Sequence, residues 1–108
     1  MRETAIMAAI RKAVNTDGRV RLVRNNTGQD QQTRVRYGLG KGGADLVGIL
    51  RGPGRVVALE VKTPVGRLST EQRLWLASVR RFGGFAAVAH DVPEALAAVD
   101  RACAGASE

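Results

Sequence analysis

The sequence has very few of the side chains that form disulfides or histidine- and cysteine-rich metal sites. Its 108 residues include one cysteine, Cys103, and one histidine, His90. A disulfide needs two thiols, and structural zinc is held by sets of cysteine and histidine, so the sequence excludes both within the chain. The single thiol, and an N-terminus without a signal-like hydrophobic stretch, favour a reducing, cytoplasmic environment.

Long apolar runs, aromatic residues and acidic residues are also scarce. No apolar run approaches the roughly 20 residues that cross a bilayer, so we expect no membrane partner. Aromatic residues make up 4% of the chain, which leaves little for stacking on single-stranded bases. Ten acidic residues stand against seventeen basic ones, fourteen of them arginine, and the net charge is +7. Because the guanidinium group suits phosphate, this excess favours nucleic acid as the partner.

The pattern of apolar and turn-forming residues predicts a mixed α/β fold. Ser69 and Gln72 form a capping box at the start of the second helix, whose buried face is expected to carry Trp75, Val79 and Phe82. The predicted order is α-β-β-β-β-α-β-α around a central sheet. Helices are predicted at residues 3–14, between an N-cap at Ser69 and a C-terminal cap at Gly83-Gly84, and from an N-cap at Asp91 to about residue 102. Strands are predicted at residues 20–24, 33–37, 45–50, 55–62 and 85–89.

Two acidic residues become neighbours if the third and fourth predicted strands form a hairpin. A four-residue loop pairs Leu50 with Arg55, and the same register places Asp45 opposite Glu60. Directly opposed residues have Cβ atoms about 4.5–5.5 Å apart, where two carboxylates repel each other unless a cation joins them. Hard oxygen ligands at this separation suit Mg²⁺ or Mn²⁺.

A lysine shares the strand face that carries the second of these acids. Lys62 follows two positions after Glu60, so both side chains point the same way, while Val57, Leu59 and Val61 are expected to pack on the core. Two interpretations of the charged face remain open at this stage. It is either a metal-assisted catalytic site or an ordinary Glu–Lys pair on a solvated sheet face.

Three short motifs follow one another along the chain. They are Gly43-Ala44-Asp45-Leu46, Glu60-Val61-Lys62 and Gly66-Arg67-Leu68-Ser69-x-x-Gln72. Together they resemble the VRR-NUC family of the PD-(D/E)XK nuclease superfamily in its short stand-alone form, with Ala44 where many members have proline. The resemblance implies one nuclease domain over residues 1–108, with a restriction-endonuclease-like mixed sheet flanked by helices.

The resemblance also implies an activity, which is divalent-metal-dependent hydrolysis of DNA phosphodiester bonds by an endonuclease. Lys62 would orient or activate the attacking water, and Glu3 and Gln72 would complete the catalytic set. Glu3 is equally well explained as an acid favoured in the first turn of a helix, and Gln72 as part of the capping box. The implied ligands of Mg²⁺ or Mn²⁺ are Asp45, Glu60 and the Val61 carbonyl.

Several basic residues are candidate contacts to DNA phosphates. Arg34 and Arg36 are expected on one strand face, and Lys41 in a glycine-rich bend. The full set is Arg24, Arg34, Arg36, Lys41, Arg67 and Arg73.

The expected assembly and preferred DNA rest on the number of active sites in one chain and on the resemblance, because stand-alone members of the family are similar to junction-resolving enzymes. One active site cuts one strand, whereas a two-fold homodimer would suit a four-way junction or other branched DNA. We therefore expect a homodimer and branched DNA, in an intracellular protein of a bacterium or a phage. The alternatives are a non-cleaving DNA-binding module with the same fold and, less favoured, a sequence-specific restriction-type enzyme.

Overall fold

Three helices and six strands make up the part of the chain that the structure describes. This structure is a computed structural model, and it describes residues 2–108. Met1, the first residue of the predicted domain, lies outside the described residues. In chain order the elements are α1 (Glu3–Asp17), β1 (Val20–Arg24), β2 (Gly28–Gln29), β3 (Arg36–Tyr37), β4 (Leu46–Leu50), β5 (Val56–Val61), α2 (Thr70–Arg81), β6 (Phe85–Ala89) and α3 (Val92–Cys103).

Four of the strands form a mixed central sheet in the order β1-β4-β5-β6. The β1–β4 and β4–β5 pairs are antiparallel, and β6 runs parallel to β5. The predicted hairpin register is confirmed, since Leu46 pairs with Leu59 and the Leu50 N–H donates to the Arg55 carbonyl over 2.8 Å. This mixed sheet with its three flanking helices confirms the predicted α/β class and is compatible with a restriction-endonuclease-like fold.

The main core lies between the sheet and the helices α1 and α3. Val57, Leu59 and Val61 of β5 are fully buried there, as predicted, against α1 residues such as Ile10 and Val14. Helix α1 continues past its predicted end at residue 14 because the chain leaves the helix only at Gly18, in a left-handed conformation with φ 88°.

The other sheet face is covered by α2 through a smaller cluster. Its buried members are Ala44, Ala58, Leu76 and Ala86, and the three alanines let the helix lie close to the strands. The capping box of α2 is confirmed. No helix among residues 2–108 has both the length and the apolar character needed to cross a membrane.

The prediction of one strand at residues 33–37 is wrong. Two-residue strands β2 and β3 pair with each other outside the main sheet, so five strands precede α2. The cause is Asp30, whose carboxylate accepts from the Gln32 and Thr33 N–H groups, each over 2.8 Å, and holds a tight turn. Arg34 lies in that turn with φ 64°, so it does not share a strand face with Arg36.

The predicted burial of Phe82 is also wrong. Phe82 is the C-cap of α2 and is 83% exposed. It lies at the rim of a groove with Val56, the first residue of β5, so little of the sheet remains for its ring to cover. Leu76 is the buried residue of α2, while Trp75 and Val79 are half-buried beside it.

Gly48 is required by the close approach of β1 and β4. A Cβ at this position would overlap with the carbonyl oxygen of Arg21. We expect Gly48→Ala to lower the free energy of unfolding by about 3 kcal/mol, because an overpacked core position forces backbone shifts. Urea denaturation measures this, with the exposed Val65→Ala as the control, expected to change it by less than about 1 kcal/mol. Equal stability of Gly48→Ala and the parent would contradict the packing described here.

Candidate active site

Asp45 and Glu60 lie side by side at one end of the β4–β5 hairpin. Asp45 immediately precedes β4, and the Leu46–Leu59 register puts it opposite Glu60 on β5. On its other side, Glu60 pairs with Val88 of β6. Glu60 is 1% exposed and Asp45 is half-buried, so the interpretation of a Glu–Lys pair on a solvated face is wrong. A carboxylate pair is therefore held within the sheet rather than on an open surface.

The two carboxyl groups differ in their hydrogen bonding. Asp45 Oδ2 accepts from the Val61 backbone N–H over 2.8 Å, which fixes its orientation. Glu60 Oε2 is buried and has no hydrogen-bond partner among the described residues. Such an atom is costly to bury alone, and a bound ion is one of its ordinary explanations. The orphaned oxygen beside a second carboxylate therefore fits a hard divalent cation.

The charges around Glu60 identify its other neighbours. Burial, and then the adjacent Asp45 carboxyl with its negative charge, raise the pKa of Glu60 above its ordinary value. The positive charge of Lys62 acts in the opposite direction, and the negative charge of Glu3 adds to the increase. Lys62 and Glu3 therefore lie within electrostatic range of the carboxylate pair, and both are half-buried.

The set of possible metal ligands is small. Among residues 2–108, no three histidine, cysteine, aspartate or glutamate side chains gather in a metal-binding arrangement, so Glu3 stands outside such a group. Asp45 and Glu60 supply two oxygens, and the main chain of Val61 lies beyond the last β4–β5 pair. The Val61 carbonyl is thus available to complete a set of hard oxygen ligands with the two carboxylates.

The raised pKa of Glu60 predicts a pH dependence of stability in the metal-free protein. Above the ordinary pKa of 4.5, the unfolded chain has released a proton that the folded chain still holds. The free energy of unfolding therefore falls as the pH rises above that value, by up to about 1.4 kcal/mol per pH unit.

Glu60→Gln tests this dependence because it keeps the shape and removes the titration. In EDTA at pH 8 we expect the variant to be at least about 1 kcal/mol more stable than the parent, with equal stability near pH 4. Carboxylates whose pKa is lowered, such as Asp17 and Glu94, are common to both proteins and cancel in the difference. Parallel stability curves from pH 4 to 8, by urea denaturation, would contradict the account of Glu60.

A comparison with known protein families identifies the chain. The model of the VRR-NUC domain matches residues 2–93, which is most of the sequence. The chain belongs to the VRR-NUC family. A search of curated proteins finds no match to it. As a VRR-NUC protein it is a nuclease, and DNA is its substrate class.

In this VRR-NUC protein, Gln72 is engaged at the start of α2. Gln72 Oε1 accepts from the Ser69 N–H over 2.8 Å, and Ser69 Oγ accepts from the Gln72 N–H over 3.1 Å. No hydrogen bond among residues 2–108 joins Gln72 to Asp45, Glu60 or Lys62. The structure thus brings together Asp45 and Glu60, keeps Lys62 and Glu3 within range of their charges, and leaves Gln72 in the cap.

The predicted DNA contacts lie in β1, in the segment between β1 and β4, and in α2 with the segment before it. Arg24 is the last residue of β1 and pairs with Leu46, the residue that follows Asp45. The segment between β1 and β4, here called the arm, carries Arg34 and Arg36. Arg67 lies in the segment between β5 and α2, and Arg73 lies in the first part of α2. Among the described residues, five of the six predicted contacts make no ion pair, whereas Lys41 pairs with Glu71 over 3.5 Å.

Part of the arginine excess has a structural role that the sequence analysis did not assign. Arg55 donates to the carbonyls of Gly83, Gly84 and Ala102, which ties the end of α2 to α3. Arg19 pairs with Asp17 and with Asp100, which lies 81 positions away. No local sequence signal marks these arginines, because most of their partners come from distant segments.

Proposed function

We propose that this VRR-NUC protein is an endonuclease that hydrolyses DNA phosphodiester bonds with Mg²⁺ or Mn²⁺. The observation that carries the proposal is the buried Glu60 Oε2, which has no hydrogen-bond partner among the described residues and stands beside Asp45. Asp45, Glu60 and the Val61 carbonyl would hold the cation. Such a cation supplies Lewis-acid polarisation of the phosphate and makes water a better nucleophile at neutral pH.

The protein groups have distinct tasks in this proposal. The Val61 N–H fixes the Asp45 carboxylate, so a ligand oxygen is oriented before the cation arrives. Lys62 brings a positive charge to the edge of the pair, where it orients the attacking water and stabilises negative charge that develops on the phosphate. Glu3 adds a third negative charge at longer range, which strengthens the attraction for a divalent cation. Gln72 acts through the α2 cap, which it holds beside the site.

Cleavage assays test the proposal directly. Labelled four-way junctions and linear duplexes are incubated with Mg²⁺, with Mn²⁺ or with EDTA. We expect strand scission with either metal, none with EDTA, and faster cleavage of the junction. Binding of DNA without scission under every metal condition would overturn the proposal and favour the non-cleaving module.

A homodimer would bring two such sites to one branched substrate. Support comes from large apolar side chains exposed on the sheet face that carries Asp45. Val56 and Phe82 line one groove, Ile49 pairs with Val56, and Val23 pairs with Val47 alongside. Light scattering at micromolar concentration is expected to give twice the mass of 11.5 kDa. A monomer that cleaves junctions at full rate would contradict the dimer.

The exposed arm between β1 and β4 is proposed to hold DNA phosphates. Replacing both Arg34 and Arg36 with glutamine is expected to weaken DNA binding about ten-fold and to lower the slope of log K against log[salt] by about two. Removing the charges of Lys12, on α1, and Arg51, in the turn at the far end of the β4–β5 hairpin, is the matched control and should change binding by less than about two-fold. An equal loss in both double variants would show that only net charge matters.

A further inference from the structure

Asn25 connects three segments that surround the candidate active site. It directly follows β1, and its backbone N–H donates to the Asp45 carbonyl over 2.8 Å. Its side-chain Nδ2 donates to the Ala44 carbonyl over 3.1 Å, and its Oδ1 accepts from the Leu39 N–H over 3.1 Å. One residue therefore ties the end of β1 to the glycine-rich bend and to the carbonyls of the two peptides that flank Asp45.

The bond to Ala44 changes the end of the β4–β5 ladder. In an antiparallel pair, hydrogen-bonded positions recur every second residue. The Leu50–Arg55 bond therefore predicts that Ala44 and Val61 would exchange the next bonds along the ladder. Instead, pairing ends at Leu46 and Leu59, and the Ala44 carbonyl accepts from Asn25.

The main-chain N–H and carbonyl of Val61 are therefore available for contacts outside the β4–β5 ladder. The Val61 N–H donates to Asp45 Oδ2 rather than to Ala44. The Val61 carbonyl likewise lies past the last paired position of β4. The Val61 main chain has two proposed functions, which are to hold Asp45 and to offer an oxygen ligand. Both depend on a donor outside the β4–β5 ladder that binds the Ala44 carbonyl.

The glycine-rich bend packs against the side chain of Asn25. A Cβ on Gly43 would lie 2.7 Å from Asn25 Nδ2, so glycine is needed for the amide to reach Ala44. Trp75 Nε1 donates to the Leu39 carbonyl over 3.0 Å, while the Leu39 N–H donates to Asn25. The bend is therefore held between Asn25 and α2, and the indole of Trp75 is linked to Asn25 through one residue.

We propose that Asn25 is a positioning residue for the metal site, which interrupts the β4–β5 ladder so that Val61 serves Asp45 and the cation. The inference rests on the proposed function and adds a residue that touches neither metal nor phosphate. It predicts that loss of the Asn25 side chain lets Ala44 and Val61 pair and withdraws the Val61 N–H from Asp45.

Asn25→Ala tests this role, and the chain offers a matched control. Asn15 also makes two side-chain hydrogen bonds to the backbone, both to Leu22 at the outer edge of β1 (2.9 and 2.7 Å). Mn²⁺ binding is measured by calorimetry on the full chain for the parent, Asn25→Ala and Asn15→Ala, with folding verified by far-ultraviolet circular dichroism. We expect the Kd for Mn²⁺ to rise at least about 10-fold in Asn25→Ala and to stay within about two-fold in Asn15→Ala.

Two further measurements separate positioning from general loosening. The fluorescence of Trp75, the single tryptophan, should change in Asn25→Ala and not in Asn15→Ala. The kcat for DNA cleavage should fall in Asn25→Ala and recover partly at high Mn²⁺, with KM for DNA unchanged. If Asn25→Ala does not fold, Gly43→Ala takes its place, because its Cβ displaces the Asn25 amide and should weaken Mn²⁺ binding in the same way.

The outcomes distinguish this inference from the function on which it depends. Parent-like Mn²⁺ affinity in a folded Asn25→Ala, or in Gly43→Ala where that variant replaces it, would overturn the role of Asn25 and leave the metal site intact. Equal weakening in Asn15→Ala would also overturn it, since a general loss of stability would then explain both variants. A parent protein that binds no Mn²⁺ would overturn the proposed function, and the positioning role with it.

Discussion

Asp45→Asn is expected to lower kcat for DNA cleavage by at least about 10³-fold, because several kcal/mol of charge stabilisation depend on the bound cation. Asparagine keeps the size of the side chain and an oxygen that accepts from the Val61 N–H, so the fold is retained. The lost property is the negative charge. DNA affinity, which depends on surface cations, should change by less than about three-fold.

Single-turnover cleavage of a labelled junction in Mg²⁺, and fluorescence anisotropy in EDTA, measure the two quantities. Asp100→Asn is the matched control, since Asp100 is exposed on α3, away from the site, and pairs with Arg19. Its cleavage rate should equal that of the parent. Cleavage by Asp45→Asn at more than a tenth of the parental rate would show that Asp45 is not a ligand the reaction needs.

Lys62→Met is expected to lower kcat by about 10²–10⁴-fold while leaving Mn²⁺ affinity within a few-fold of the parent. Methionine keeps most of the aliphatic stem, which passes Gly66, and removes the charge that lies near Glu60. The charge acts on the water and on the phosphate rather than on the retention of the cation. The variant should therefore separate catalysis from metal binding, in contrast to Asp45→Asn, which loses both.

Calorimetry with Mn²⁺ and single-turnover cleavage check this separation. Lys12→Met, on the exposed face of α1, controls for the loss of one positive charge. A parental kcat in Lys62→Met would remove Lys62 from the mechanism. An unchanged kcat/KM together with a large loss of Mn²⁺ affinity would instead assign the lysine to the folding of the site.

The hairpin that carries the site was predictable because its register depends on local features. The turn at residues 51–54 fixes the pairing of Leu50 with Arg55, and the alternation of side chains then fixes Asp45 against Glu60. The burial of Glu60 was not predictable in this way. It depends on how α2 packs over a sheet face whose strands come from separate parts of the chain.

Other features escaped sequence reasoning for the same reason. The side-chain partners of Asn25 lie 14 and 19 positions away, so the residue looks like an ordinary turn former. The carboxylate of Asp30 broke the predicted strand by accepting two N–H groups of the following turn. The alternation of apolar residues could not indicate these hydrogen bonds. They form because a side-chain carboxylate competes with the strand ladder for the backbone N–H groups.

Anomalous diffraction from crystals soaked in Mn²⁺ tests the central claim, a metal held by the carboxylate pair, most directly. We expect a peak between the Asp45 and Glu60 carboxylates, within about 2.0–2.3 Å of an oxygen from each and near the Val61 carbonyl. The peak should be absent from Asp45→Asn crystals treated in the same way. A Mn²⁺ peak elsewhere in the molecule, with Glu60 Oε2 still without a partner in an active parent protein, would contradict the account.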